Sequence, residues 1–183
     1  MQTPVFTIET VMEKEDYRKF LFIATFLRNA YTIPLIAGIA LLGAFIATWR
    51  TDSFAPGTVI ILWIFMFLLV IGIICLKIER KNKQRMKTDK TGTFGAKNIL
   101  KFYPDHMVVE TPFLQGTCTL RYDQFYQLLE SKDYLIFYWN QNQASLMKKS
   151  DISDLDGFKS FLLEKFCGKY RRILHAKSAK KCE

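Results

Sequence analysis

Between Asn29 and Leu76 the chain is almost empty of charge: across 48 residues only Arg50 and Asp52 are ionised. A helix or strand on the surface of a soluble protein interleaves polar side chains at its own period, and this stretch does not. Histidine is scarce as well, with only His106 and His175 in 183 residues. Neither has a second histidine at metal-ligand spacing, so each reads as a surface or strand-end side chain. No G-x-S-x-G, H-E-x-x-H or G-x-x-x-x-G-K-S/T segment is present, so three common catalytic and phosphate-binding frameworks are missing. The four cysteines, Cys75, Cys118, Cys167 and Cys182, form no C-x-x-C pair. They suit a reduced setting better than a disulfide scaffold.

Net charge is missing from the body of the chain. Residues 1–76 carry five basic and five acidic groups, and residues 91–168 carry eight and nine. The overall +9 resides in two short flanks, 77–90 and 169–183, each at +5. A nucleic-acid-binding domain carries positive charge on its folded body, so this distribution points away from nucleic acid. The carboxylates Asp105, Glu110, Asp123, Glu130 and Asp133 fall in or beside expected turns, where solvated charge is ordinary. No pair is singled out as general acid and base. The expectation is a chain without catalytic, metal or cofactor residues, and not an enzyme. A small membrane enzyme is the alternative, and it would need polar groups converging from several elements. A toxin-immunity or stress-response membrane protein is a third reading that composition does not separate.

Two apolar runs remain. The first extends from Ile33 to Trp49 and the second from Gly57 to Leu76. Each approaches the roughly 20 residues that cross a hydrocarbon core of about 30 Å. A secretory signal fits the first run poorly, because some thirty patterned residues precede it. A buried helical hairpin would need a much larger protein around it. Basic residues set the expected orientation. Lys14, Arg18, Lys19 and Arg28 precede the first run, seven cations follow the second, and Arg50 alone lies between. Loops rich in Lys and Arg stay in the cytoplasm, so both termini are expected inside a bacterial cell membrane. Ala37, Ala40, Gly43, Ala44 and Ala47 give the first span a small-residue face. Such a face permits close helix packing, either on the second span or in a homo-oligomer, and the short loop favours the former.

The flanking sequence has strand and helix periods. Val5–Thr10 alternates like a strand, and Thr10-Val-Met-Glu13 matches a capping box opening a helix with Tyr17, Phe20, Leu21, Ala24 and Leu27 on its apolar stripe. Residues 77–90 read as a basic continuation of the second helix. Strands are expected at Asn98–Tyr103, His106–Thr111, Thr117–Tyr122, Phe125–Glu130, Tyr134–Trp139 and Ala144–Lys148. A closing helix follows, with Ser153 or Asp154 as N-cap, Leu155, Phe158, Phe161, Leu162 and Phe166 on one face, and Gly168 as its stop. The expected organisation is an N-terminal segment (1–28), a two-span hairpin with its basic extension (29–90), a cytoplasmic α+β domain (91–168) and a basic tail (169–183). The piece from Gly92 to Gly168 is expected to fold by itself.

This order of elements, with Glu15-Asp16-Tyr17 ahead of Phe20, resembles the YcxB-like family. So do Ile99-Leu-Lys-Phe102, His106-Met-Val-Val109, Arg121-Tyr-Asp-Gln-Phe125 and Ser145-Leu-Met-Lys148. The resemblance would cover nearly the whole chain through short motifs. It implies a pleckstrin-homology-like domain, an antiparallel β-sandwich or barrel closed by a C-terminal helix, and no catalytic residues. The functional expectation is therefore a membrane-tethered interaction module that binds a protein segment or lipid heads. Its candidate contacts are Lys77, Arg80, Lys81, Lys83, Arg85 and Lys87 beside the bilayer, where anionic lipid attracts each cation by roughly 1 kcal/mol. Lys169, Arg171 and Arg172 in the tail are either a second contact or part of a disordered, solvated end, with the second reading slightly favoured.

Overall fold

The computed structural model describes residues 3–49, 56–89, 94–112, 117–141 and 143–173. The expected loop after Trp49, most of the Pro112–Gly116 turn, His175 and the end of the basic tail lie outside these residues. The chain divides into two compact units. One is Arg18–Thr88, and the other joins Met1–Tyr17 to Asp89–Glu183.

The first unit holds two long apolar helices, α2 (Thr32–Trp49) and α3 (Pro56–Thr88), both long and apolar enough to cross a membrane. They pack on each other where their side chains are small. Ala40, Ala44 and Thr48, four residues apart, are buried along one face of α2. A side chain added at Gly43 would meet Met66 Sδ at 3.7 Å. The Trp63 indole donates to the Ala37 carbonyl at 3.0 Å. Of the small-residue face, Ala40 and Ala44 thus lie inside the chain's own hairpin, whereas Ala47 is exposed. Elsewhere the helices turn large apolar side chains outward. Leu35, Ile39, Leu42 and Ile46 on α2 and Ile61, Phe65, Leu68 and Leu76 on α3 are each at least 60 % exposed. A core helix of a soluble protein would cover them. The helix before α2, α1 (Lys14–Phe22), passes into a π-helical turn at Ile23–Leu27 and stops before Thr32, so it is not continuous with the first apolar helix.

The second unit contains two four-stranded sheets. The first has the order β1 (Phe6–Val11), β2 (Lys97–Phe102), β3 (His106–Glu110), β4 (Thr117–Arg121), all antiparallel. The second runs β7 (Ala144–Lys148), β6 (Tyr134–Tyr138), β5 (Gln127–Glu130), β8 (Tyr170–Arg172), antiparallel except for the β5–β8 pair. Among the described residues no strand pair joins the sheets, so the α+β unit is an open pair of sheets and not a closed barrel. Helix α4 (Leu155–Lys165) brings Phe158 and Leu162, with Phe166 just after it, into the core. There they meet Ile8, Leu100 and Phe102 of the first sheet and Leu128, Leu135 and Phe137 of the second. Phe158 stands edge-on to Phe102 at 4.8 Å, and Phe166 edge-on to Phe137 at 5.8 Å. Asp154 caps α4 by accepting the Gly157 N–H at 3.0 Å, and Gly168 closes the turn after it at φ 76°, a conformation that glycine adopts without cost.

The structure departs from the sequence reading at both ends of this unit. Strand β1 pairs with β2 over six residues, from Phe6↔Phe102 to Val11↔Lys97, so the N-terminal strand completes a sheet whose other strands follow α3. The expected capping box gives way to this pairing, which keeps Thr10 and Val11 extended. The Thr10 hydroxyl donates instead to Asp151 at 2.7 Å, and the helix opens at Lys14 with Asp16 accepting the Glu13 N–H at 2.9 Å. At the other end, residues 170–172 form a strand and not a solvated tail. The Gly92–Gly168 piece therefore lacks one strand of each sheet. Strand β4 alternates in sequence but lies at a sheet edge largely exposed, Cys118 included. Cys75 and Cys118 are free thiols.

Candidate functional site

Helix α3 positions the first group of candidate residues. Its 33 residues reach about 50 Å at 1.5 Å per residue, beyond the roughly 30 Å of a hydrocarbon core. The surplus is the basic end. Ile78 and Asn82 are buried on one side of it, while Lys77, Arg80, Lys81, Lys83, Arg85 and Lys87 are all exposed around the remaining circumference. Glu79, the acidic residue among them, pairs with Arg18. Six cations are thus displayed within about 15 Å of helix, following directly on the last exposed apolar residue, Leu76.

The tail residues behave differently. Lys169 turns its ammonium onto the carbonyls of Asp123 and Phe125, both at 2.9 Å. Arg172 donates to Glu130 at 2.6 Å, and only Arg171, exposed, has no such bond. Two of the three therefore fasten β8 to the sheet. They belong to the sheet unit, whereas the α3 cations belong to the helical one.

Two carboxylates are buried in the sheet unit: Glu130, expected as a solvated turn residue, and Asp16, which the turn-based reading did not name. Glu130, at the end of β5, is 7 % exposed and accepts from Lys149 at 2.7 Å, Tyr170 at 2.7 Å and Arg172, with Lys159 at 3.2 Å. Burial alone would raise this carboxyl, but Lys149, Tyr170 and Lys159 outweigh it and hold it down at about 2. Asp16, on α1, is 5 % exposed and accepts from Lys148 and from the Tyr134 hydroxyl, each at 2.8 Å. Burial again opposes ionisation, and Lys148, the Glu13 N–H and Tyr134 together hold Asp16 below the usual range. The Lys148 ammonium is held up in turn, chiefly by its bond to Asp16. Nothing in the local sequence marks these hubs, since their partners come from other elements.

Beside them lies an open cleft of about 380 Å³, with Lys132, Asp133, Lys148, Lys149, Ser150 and Leu155 on its walls. Elsewhere, His106 stacks on Tyr103 at 4.6 Å and meets Asp105 through Nδ1 at 2.7 Å. This contact holds the Asp105 carboxyl below its usual range. Among the described residues no group of three His, Cys, Asp or Glu is placed to hold a metal ion. Comparison with protein-family models, curated proteins and solved structures finds no match to this chain.

Proposed function

We propose that this chain is an integral membrane protein of the YcxB-like type, whose α2–α3 hairpin spans a bacterial cell membrane and whose sheet unit is a pleckstrin-homology-like interaction module on the cytoplasmic side. The observation that carries the reading is α3 itself: an uncharged run from Gly57 to Leu76, with eight large apolar side chains exposed along it, leads directly into six exposed cations. That is the profile of a span ending at an anionic leaflet. The pairing of β1 with β2 supports it independently. Hydrogen-bonded strands lie on one side of a membrane, and these two flank the helical pair, so both helices cross or neither does. Sixteen large apolar side chains exposed on the two helices favour crossing over a water-bathed hairpin. Two sheets with a helix packed into their core support the pleckstrin-homology-like reading.

The module is read as non-catalytic, with a protein segment or anionic lipid heads as its partner. Reporter fusions test the arrangement. A reporter after Glu183 should lie in the cytoplasm, and one inserted between Arg50 and Pro56 should lie outside. A C-terminus outside the cell would overturn the orientation and the partner class together.

A further inference from the structure

We infer that the segment from Arg18 to Tyr31 is a third lipid-contacting element, a helix that lies in the plane of the cytoplasmic headgroup layer without crossing it. The inference rests on the spanning hairpin proposed above, and it leaves the number of crossings at two. Phe20 to Leu27 is a stretch of eight residues without a charge, six of them large and apolar. A helix bathed in water would cover most of these against its own chain. Here that packing buries only Leu21, at 6 % exposed, and none of Ile23–Leu27. Phe22, Ile23 and Phe26 are half-buried and Leu27 is exposed. Cations frame the stretch, with Arg18 and Lys19 before it and Arg28 after it. Apolar side chains framed by Lys and Arg on one helix suit a seat at the boundary of headgroups and acyl chains.

The two ends of the segment fix its direction, and both belong to the helical unit. Arg18 pairs with Glu79, which follows Leu76 by three residues, or about 4.5 Å of α3. The segment therefore starts beside the point where α3 passes from exposed apolar to exposed basic side chains. It ends at Tyr31, directly before α2, where Ile33 and Leu35 are again exposed as in a span. Both ends thus sit where the hairpin meets the headgroups, and the helical piece between them is about 15 Å long. Lying along the boundary satisfies both ends, whereas standing along the membrane normal would carry one of them some 15 Å away. The backbone suits a place with little water. The Arg28 N–H donates to the Ile23 carbonyl at 2.9 Å, the Thr25 hydroxyl to the Leu21 carbonyl at 2.7 Å, and the Thr32 N–H to the Asn29 carbonyl at 3.1 Å. Polar groups that a helix end leaves open are thereby paired within the chain. Tyr31, 83 % exposed at this turn, is of a type enriched at membrane interfaces. A protein partner could cover the same apolar side chains, but it would not account for both ends lying at the hairpin's boundary.

The test uses nitroxide labels on the full chain in phosphatidylcholine–phosphatidylglycerol vesicles, with the native cysteines replaced by alanine. One label at a time is carried by Ile23→Cys, Leu27→Cys, Tyr31→Cys or Phe65→Cys. Leu27 and Tyr31 are exposed, so labels there disturb no packing. Depth is read from the access of oxygen, which concentrates in the bilayer, against that of a water-soluble nickel chelate. The first three labels are expected at one shallow depth, about 5–10 Å into the boundary layer. Phe65, midway along the apolar run of α3, is expected to be much deeper. A depth that grows by about 12 Å from Ile23 to Tyr31 would make the segment part of a span. Free access of the chelate to all three would place it in water, and exclusion of both reagents would show a protein cover. Any of these outcomes with Phe65 deep overturns this inference alone. Phe65 open to the chelate overturns the spanning hairpin and this inference with it, so the two failures are distinguishable.

Discussion

Replacing Ile8 by alanine should destabilise a domain most of whose sequence lies some ninety residues away. Ile8 is 4 % exposed, pairs with Leu100 and belongs to the core that α4 closes. Removing its outer carbons costs the lost burial plus the cavity left behind, about 3 kcal/mol for an Ile→Ala change in a packed core. The measurement needs the sheet unit alone, which the structure permits. The Tyr17 and Phe94 rings lie 5.8 Å apart, edge-on, and the Asp89 carboxylate accepts the Phe94 N–H at 3.3 Å. A Gly-Ser linker of about eight residues, roughly 15 Å on average, can therefore replace 18–88. In this joined protein Ile8→Ala should lower Tm by roughly 10–15 °C, at about 4 °C per kcal/mol for a domain of this size. The Gly92–Gly168 piece should not fold cooperatively, for want of β1 and β8. Thermal unfolding by circular dichroism reads both. A shift under about 2 °C for Ile8→Ala, or a Gly92–Gly168 piece as stable as the joined protein, would refute the assignment of β1 to this sheet.

Two further outcomes follow from charge. Glu130 ionises at about 2 when folded against 4.5 ordinarily, so its contribution is present above about 4.5 and is lost as pH falls toward 2. That is about 3 kcal/mol of acid lability, which Glu130→Gln should remove from the pH dependence of the joined protein's unfolding midpoint. An unchanged acid slope would show that other carboxylates dominate. A peptide of residues 77–89 should partition onto anionic vesicles, losing affinity steeply as salt shortens screening from about 10 Å to about 8 Å and below. Gln at Lys77, Arg80, Lys81, Lys83, Arg85 and Lys87 should abolish it, whereas equal partition onto neutral vesicles would leave these cations as topology signals only.

What was legible in the sequence was local. The apolar runs, the basic continuation of α3, the strand from Ala144 to Lys148 and the Asp154 cap all declare themselves within a few residues. What was not legible depends on partners distant in the chain. The alternation of Val5–Thr10 shows a strand but not that its partner starts at Lys97, beyond two long helices. Tyr170-Arg-Arg172 looks like tail because three residues are too few for a period, and only the parallel pairing with β5 buries Tyr170. Glu130 reads as a solvated acid for the same reason, and Asp16 stands out only as part of a short motif. Their cations sit on other strands and on α4, and no spacing rule connects Glu130 to Lys149, Lys159 and Arg172. The alternation of β4 misleads in the opposite sense. A period of two says that the faces differ, not that one of them is covered.

The β1–β2 pairing constrains more than the sheet. Each crossing of a bilayer moves the chain to the opposite side, and strands that share a hydrogen-bonded register are on the same side. Six consecutive pairs from Phe6↔Phe102 to Val11↔Lys97 therefore demand an even number of crossings between Val11 and Lys97. A signal peptide removed after the first apolar run would cut β1 from its sheet, and a single anchor would place β1 and β2 on opposite sides. Both are incompatible with Ile8 in the core beside Leu100 and Phe102. Two helices long and apolar enough to cross satisfy the parity, and on the proposed spanning arrangement the cations after α3 choose the side. If the hairpin crosses as proposed, the sheet acts as a check on assembly: a chain inserted with only one helix across the bilayer would leave Ile8 and Phe6 unburied and the β2 edge unpaired, so correct crossing and correct folding would be one event.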